Sequence, residues 1–255
     1  MPDMLALETI LITCAVFVAA GLVKGVIGLG LPTVSLALLT ATIGLKPAMA
    51  VLVLPALLTN IMQAMTGGAF FHILRRTWVF ILIAFACTWL GAGILAGSSS
   101  PLLPALLGLV TATYAGLSLA TPQFVMPKKW ELAATPALGA VAGMVTGLTG
   151  TFVVPGVMYL QSLGFSKNTF IQSMGIMFTV ASLSLGVGLG GHGLISQDLM
   201  TLSGIALIPA FAGMYVGVRI RSRLGEVKFR KVFFVSLLLL GLYIIVRSLM
   251  GAGLI

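Results

Sequence analysis

Charged residues fall along this chain in short clusters, and the stretches between them are long and apolar. Residues 47–70, 77–97, 101–120, 168–190 and 199–218 carry no Lys, Arg, Asp or Glu. About 20 apolar residues carry a helix across a bilayer, so each of these runs predicts a membrane span. A soluble domain would break such runs with charge to solvate its surface. With the shorter runs included, ten apolar segments emerge. They are 8–27, 31–43, 47–70, 77–97 and 101–120, then 132–149, 152–163, 168–190, 199–218 and 232–249. The expected fold class is all-α and integral to the membrane.

The two sets of five repeat one another. Residues 20–28 read AGLVKGVIG and residues 142–150 read AGMVTGLTG, with Ala, Gly, Val, Gly and Gly in register. Further on, after a two-residue change in loop length, His72 falls opposite His192, and the chain has no other histidine. Residues 1–125 and 126–255 are therefore read as two repeats within a single transmembrane domain. In each, the second segment is about a dozen residues, roughly 18 Å of helix, too short for a hydrocarbon core of about 30 Å. It follows a Gly-rich stretch, GVIGLGLP at 25–32 and GLTGTFVVP at 147–155. Glycine accepts the backbone angles of a break, and Pro32 and Pro155 suit the first turn of a new helix. Each half is expected to run as a helix, a Gly-rich break, a half-length helix and three full spans.

Charge adds orientation to this picture. The chain is 59% hydrophobic and 7% charged, with a formal net charge of +9. More than half of that excess lies between Arg219 and Lys231, and Arg75, Arg76, Lys128 and Lys129 supply most of the rest. Basic loops beside apolar spans reflect the cytoplasmic bias of Lys and Arg, so nucleic acid is not the expected partner. If the broken pairs enter and leave on one side, or every segment crosses, these cations and Lys167 share the cytoplasmic face. Asp3, Glu8, Lys46, Asp198 and Arg247 then share the other. Both termini become non-cytoplasmic. Five segments per half, an odd number, make the halves inverted copies, the arrangement by which many carriers alternate access around a midplane site. Asp3 and Glu8 also stand where a cleavable signal would be basic.

The two breaks are expected to meet near the midplane. A break frees backbone N–H groups that lipid cannot satisfy, so it must face protein or a polar cavity. Half-helices starting near Leu31 and Phe152 would aim their positive ends there, which favours an anion. Lys24 points to the same sign, since a cation at membrane depth costs about 2.5–3.5 kcal/mol unless water, a partner or a ligand meets it. A bland alternative is that it snorkels along its stem. The candidate substrate-binding residues are Lys24, Gly25, Gly28, Gly30, Thr33 and Ser35 in the first half, with Asn60 and Gln63 on its third segment. In the second half they are Thr146, Gly147, Thr149, Gly150 and Thr151, with Gln172 and Ser173 on the third segment. Hydroxyl and amide donors suit oxyanions. For any single Ser or Thr, bonding the preceding helical turn is the commoner role.

Inversion places His72 and His192 on opposite faces of the membrane, which excludes a joint metal site or a catalytic pair. Singly, each could gate an entrance or shuttle a proton, although capping a helix end is the more ordinary task. Cys14 and Cys87 lie inside apolar spans and form no metal-ligand motif. No acid lies deep in any span, and no nucleophile stands beside a base, so no enzyme and no cofactor are expected. The partners implied are a small anionic substrate and the lipid bilayer. Nothing in the pattern sets an oligomeric state.

The stretch GLVKGVIGLGLPTVSLALL, its second copy GAVAGMVTGLTGTFVVPGVMYL and the histidine that follows in each half resemble the TauE/SafE family of sulfite exporters and organosulfonate permeases. The resemblance spans nearly the whole chain, although the first copy reads GLGLP where the family carries a denser glycine run. It implies a permease of the bacterial inner membrane, moving sulfite, sulfoacetate or another organosulfonate. A passive anion channel, or a carrier of a different small organic anion, is the alternative reading.

Overall fold

The computed structural model describes residues 4–100, 102–120, 126–221 and 226–254. Asp3, Arg223 and the junction of the two halves at Val125 lie outside the described residues. The described chain is all helix: α1 (Leu7–Ile27), α2 (Leu31–Ile43), α3 (Leu45–Ala64), α4 (Phe70–Gly97), α5 (Leu103–Ala120), α6 (Lys128–Thr149), α7 (Met158–Ser162), α8 (Lys167–Gly191), α9 (Gln197–Ile205), α10 (Leu207–Arg221) and α11 (Glu226–Gly251). Among the described residues, seven stretches are long and apolar enough to cross a membrane: α1, α3, α4, α5, α8, α9 with α10, and Phe234–Gly251 of α11. Helices such as α4 present Trp78, Leu82, Leu90 and Ile94 outward while burying Phe80, Ala84 and Leu95. A helix apolar on all sides belongs in lipid. The protein is a multi-pass membrane protein.

Several boundaries differ from the apolar runs, three of them for a reason visible in the structure. Helix α3 stops at Ala64, short of residue 70, because Gly67 and Gly68 take φ of 131° and 77°. Helix α4 begins at Phe70 instead of 77 and takes in Arg75 and Arg76, since the Arg76 guanidinium is neutralised by Glu131. The fourth run of the second half divides into α9 and α10 at Ala206, where Pro209 has no N–H for the carbonyl of Ile205.

The chain forms two compact units, each drawing on both halves. The first comprises Met1–Pro55, Ser99–Ala120 and Gly193–Ile255. Its central contact is α1 on α10, and it is made of glycine. A Cβ on Gly21 would overlap the Ala210 carbonyl, and one on Gly25 would overlap that of Met214. From the other side, Gly213 and Gly217 meet the carbonyls of Val18 and Leu22. In lipid there is no hydrophobic force between helices, so such close backbone approach, with its van der Waals and Cα–H···O contacts, holds them together. Helices α5 and α11 repeat the device, with Gly108 2.7 Å from the Gly241 carbonyl as measured from an added Cβ.

Helix α3 of this unit contains Pro55, which leaves the carbonyl of Val51 without its helical donor. Ser203 of α9 supplies one: its hydroxyl donates to Val51 O at 2.7 Å and accepts from Leu54 N–H at 3.3 Å. Ser203→Ala is expected to cost about 1–3 kcal/mol, the penalty of a buried unpaired carbonyl. Pro55→Ala restores the missing N–H, so the double variant should be less destabilised than the two single effects summed. Additive melting losses in detergent would show that Ser203 and Pro55 are not coupled.

The second unit comprises Ala56–Ser98 and Thr121–His192. Here α6 packs on α4 through Gly139, Gly143 and Gly147, which face the carbonyls of Phe80, Ala84 and Thr88, while Gly91 of α4 faces that of Met144. Helix α8 lies on the same α4, bringing Gly188 onto Ala92. The two nonapeptides of the sequence thus do the same work. Gly21 and Gly143, then Gly25 and Gly147, let a helix close on its partner, and Gly28 and Gly150 end it. Each end glycine is left-handed, φ 88° and 75°, and donates its N–H over 2.7 Å, to Lys24 O and Thr146 O respectively.

Candidate anion site

In the first unit, the turn from α1 to α2 concentrates the groups an anion needs. Gly28 closes α1, and Gly30, with φ of 107°, precedes α2. An L side chain at either would adopt a left-handed backbone at about 1–2 kcal/mol. Val34 N–H bonds to Gly30 O at 2.9 Å, the first bond of the new helix. The N–H groups of Leu31 and Thr33 therefore lie in a first turn where no carbonyl precedes them, and Pro32 contributes none. The first turn holds no acidic residue, so the positive end of the α2 dipole is not offset from within the helix.

Two side chains stand out there. Thr33 is 1% exposed, and its hydroxyl has no hydrogen-bond partner. Lys24, in the last turn of α1, is 3% exposed. Burying an ammonium among apolar helices costs several kcal/mol unless water, a partner or a ligand meets it. Ser35, by contrast, turns its hydroxyl to Leu31 O at 2.7 Å and serves its own helix. Gly25, in the last turn of α1, is taken up by close contact with Met214 and Gly217 of α10.

The corresponding stretch of the second unit is built differently. Thr146 donates to Ala142 O and Thr149 to Val145 O, both at 2.7 Å, as helical threonines usually do. Thr151 is fully buried with an unpartnered hydroxyl, and its N–H bonds to the Thr149 hydroxyl at 3.3 Å. After it the chain does not start a clean helix: Val154 is extended, with φ −115° and ψ 127°, and the Val154–Pro155 peptide is cis. Phe152 packs edge-on against Phe80 and Phe178, each 6.1 Å away. Beside it lies a cavity of about 10 Å³ lined by Ala84, Thr88, Met177 and Ala181, room for one water at most. Gly147 is inside α6, on Gly91 of α4.

The amides of the third segments tie backbone together. Gln63 donates to Ile171 O at 2.9 Å. Gln172 donates to Ala64 O at 3.0 Å and accepts from Ala69 N–H at 2.8 Å, holding the α3–α4 loop on α8. Gly67 lies so close that a Cβ there would come 2.7 Å from Gln172 Oε1. Asn60 reaches Ser182 at 3.5 Å, and Ser173 bonds Phe170 O within its own helix. Gln172→Leu should therefore cost about 2 kcal/mol or more, because two backbone groups lose their partners. Thermal melting of the variant in detergent measures this, with flux per folded molecule expected to match the parent. Lost flux at unchanged stability would instead assign Gln172 to the substrate.

The histidines sit at opposite ends of α4. His72 is in its first turn, beside Phe165 at 6.2 Å, rather than at the end of the third segment. His192 caps α8 and packs on Trp89 at 5.1 Å, where a Cβ on Gly93 would be 3.0 Å from its Nε2. From His72 to Gly93 is about 30 Å along the helix, so the two rings share no ligand. Among the described residues no group of three metal-ligating side chains forms. One feature escaped the reading of the sequence: Arg76 grips Glu131 through two bonds of 2.9 Å and lies 5.2 Å over the Phe165 ring. Its signal was only an isolated acid beside a basic pair.

Comparison with protein families adds a match to the sulfite exporter TauE/SafE family over residues 13–244. Comparisons with curated proteins and with solved structures gave no match.

Proposed function

The chain belongs to the TauE/SafE sulfite exporter family, and on that premise we propose that it is a permease for a small sulfur-containing oxyanion. Sulfite, sulfoacetate and other organosulfonates form the class. The observation that carries the proposal is the start of α2, where the first-turn N–H groups and the unpartnered Thr33 hydroxyl closely follow the buried Lys24 along the chain. Three donor types of positive character, with no acid among them, suit a compact oxyanion and would repel a cation.

The finer picture follows the sequence. Residues 1–125 and 126–255 are inverted repeats in a bacterial inner membrane, with both termini non-cytoplasmic, and the anion binds near the midplane at the first Gly-rich break. The equal tasks of the two nonapeptides support the repeat. The basic clusters support the orientation.

The test is flux of sulfite into liposomes holding the purified protein, with sulfoacetate, a bulkier sulfonate, sulfate and chloride as competitors. Saturable flux inhibited by one sulfur anion is the expected result. Unsaturable flux with chloride conductance would make the protein a channel. No flux of any sulfur anion through folded, inserted protein would remove the substrate class.

A further inference from the structure

Threonine hydroxyls in membrane helices ordinarily bond the carbonyl four residues back. In the second unit Thr77, Thr88, Thr135, Thr146, Thr149 and Thr179 all do so, at 2.6–2.9 Å. The first unit departs from this at four positions, although Thr201 of α9 does bond Gln197 O at 2.9 Å. Thr13 of α1, Thr33 and Thr40 of α2, and Thr111 of α5 each bury a hydroxyl with no hydrogen-bond partner. Thr13 is 0% exposed, Thr33 1% and Thr111 1%. Acceptors are not lacking, because Thr13, Thr40 and Thr111 all follow a complete helical turn, and Thr42 on the same α2 does bond back, to Leu39 O at 3.0 Å. In the second unit, Thr151 carries the one such hydroxyl among the described residues.

On α1 and on α2 the polar groups also fall on one face of each helix. Thr13 and Lys24 are three helical turns apart on α1 and within about 20° of the same face, some 16 Å along the axis. That face adjoins, and is distinct from, the face on which Gly21 and Gly25 meet α10. Thr33 and Thr40 are two turns apart on α2 and likewise share a face. Helix α2 packs along α1 and reaches α5, which carries Thr111. A buried hydroxyl left unpaired costs about 1–3 kcal/mol, a cost that a polar visitor would remove.

We propose that Thr13, Thr33, Thr40 and Thr111, together with Lys24, line the passage of the permeating anion through the first unit, sealed in the conformation seen here. The ligand is a small oxyanion with its hydration water, received by neutral donors along the wall and by one cation. This deepens the transport reading and rests on it for the nature of the permeant, but not for the existence of a hydrated face.

The test uses the full chain in membrane vesicles, in a Cys14→Ala, Cys87→Ala background. Thr13→Cys, Thr33→Cys, Thr40→Cys and Thr111→Cys are made one at a time, with Thr77→Cys and Thr88→Cys as comparisons buried like 13, 33 and 111. The probe is 2-sulfonatoethyl methanethiosulfonate, small and anionic. Modification at the four positions is expected to be at least tenfold faster than at 77 and 88, and slowed by sulfoacetate. Sulfite is avoided as protectant because it cleaves thiosulfonates. Rates equal to those of the comparison sites, in variants that elute as folded protein, would overturn the proposal. Fast modification untouched by sulfoacetate or sulfate would keep the hydrated face and remove the sulfur-anion reading. As a second measure, Thr13→Val and Thr40→Val preserve shape and should lower flux severalfold, whereas Thr77→Val should leave it unchanged. Full flux in both would also overturn the proposal.

Discussion

Gly25→Ala is expected to leave almost no folded protein after detergent extraction. The added methyl would overlap the Met214 carbonyl and stand 2.8 Å from Gly217 Cα and from Val218 N, all of them backbone. No rotamer can relieve this, so α1 and α10 must separate along the whole seam. Overpacking usually costs about 1–3 kcal/mol, and a backbone clash belongs at or above the top of that range. About 3 kcal/mol shifts a folded population more than a hundredfold. Gly217→Ala should behave alike, for Leu22 O and Gly25 Cα stand in its way. Gly116→Ala and Gly204→Ala meet nothing within 4 Å and should melt at or slightly above the parent temperature. The measurement is the midpoint for loss of the monodisperse peak on heating. A Gly25→Ala protein melting with the parent would show that the α1–α10 seam does not hold the unit.

Lys24→Ala is expected to weaken the anion about tenfold to a hundredfold. A hydrogen bond to a charged group contributes about 1.5–3 kcal/mol, and each 1.4 kcal/mol is a factor of ten in affinity. Lys24→Arg should retain part of the activity, since the charge survives while the flat guanidinium presents it differently. The Lys24 side chain is interior, 3% exposed, and removing its charge also removes the cost of desolvating it. Loss of flux with gain or constancy of melting temperature is thus the signature of a ligand-facing lysine. Equal flux in lysine, alanine and arginine forms would remove Lys24 from the site and return it to a snorkelling role.

Much of the helix order was legible because lipid imposes it. The ends of α1 at Ile27 and of α2 at Ile43 fall where the apolar runs meet Gly28 and Gly44. The half-length of α2 followed from the same two glycines. Boundaries set by distant partners were not legible. Helix α4 extends through Arg75 and Arg76 because Glu131, far along the chain, receives the second of them. The carbonyls that satisfy Gln63 and Gln172 belong to helices more than a hundred residues away, so an interior amide looked like a ligand donor. Gly25 and Gly147 carried two meanings in sequence, a break and a close contact, and only the neighbouring helix distinguishes them. The most informative residues of the first unit were silent. Thr13, Thr40 and Thr111 look like any threonine in a span until their hydroxyls are found without partners.

The way the units draw on the chain sets an order for its synthesis. The second unit is complete once His192 has been made, since α4, α6 and α8 precede that point. The first unit begins with α1 and closes only with α9, α10 and α11. While the ribosome is still translating, α1, α2 and α5 must wait in the bilayer with a glycine face uncovered. Truncation after His192 would therefore leave the second unit whole and strand the first helices without their partners, and the last quarter of the polypeptide acts as the closing piece of what its opening residues began.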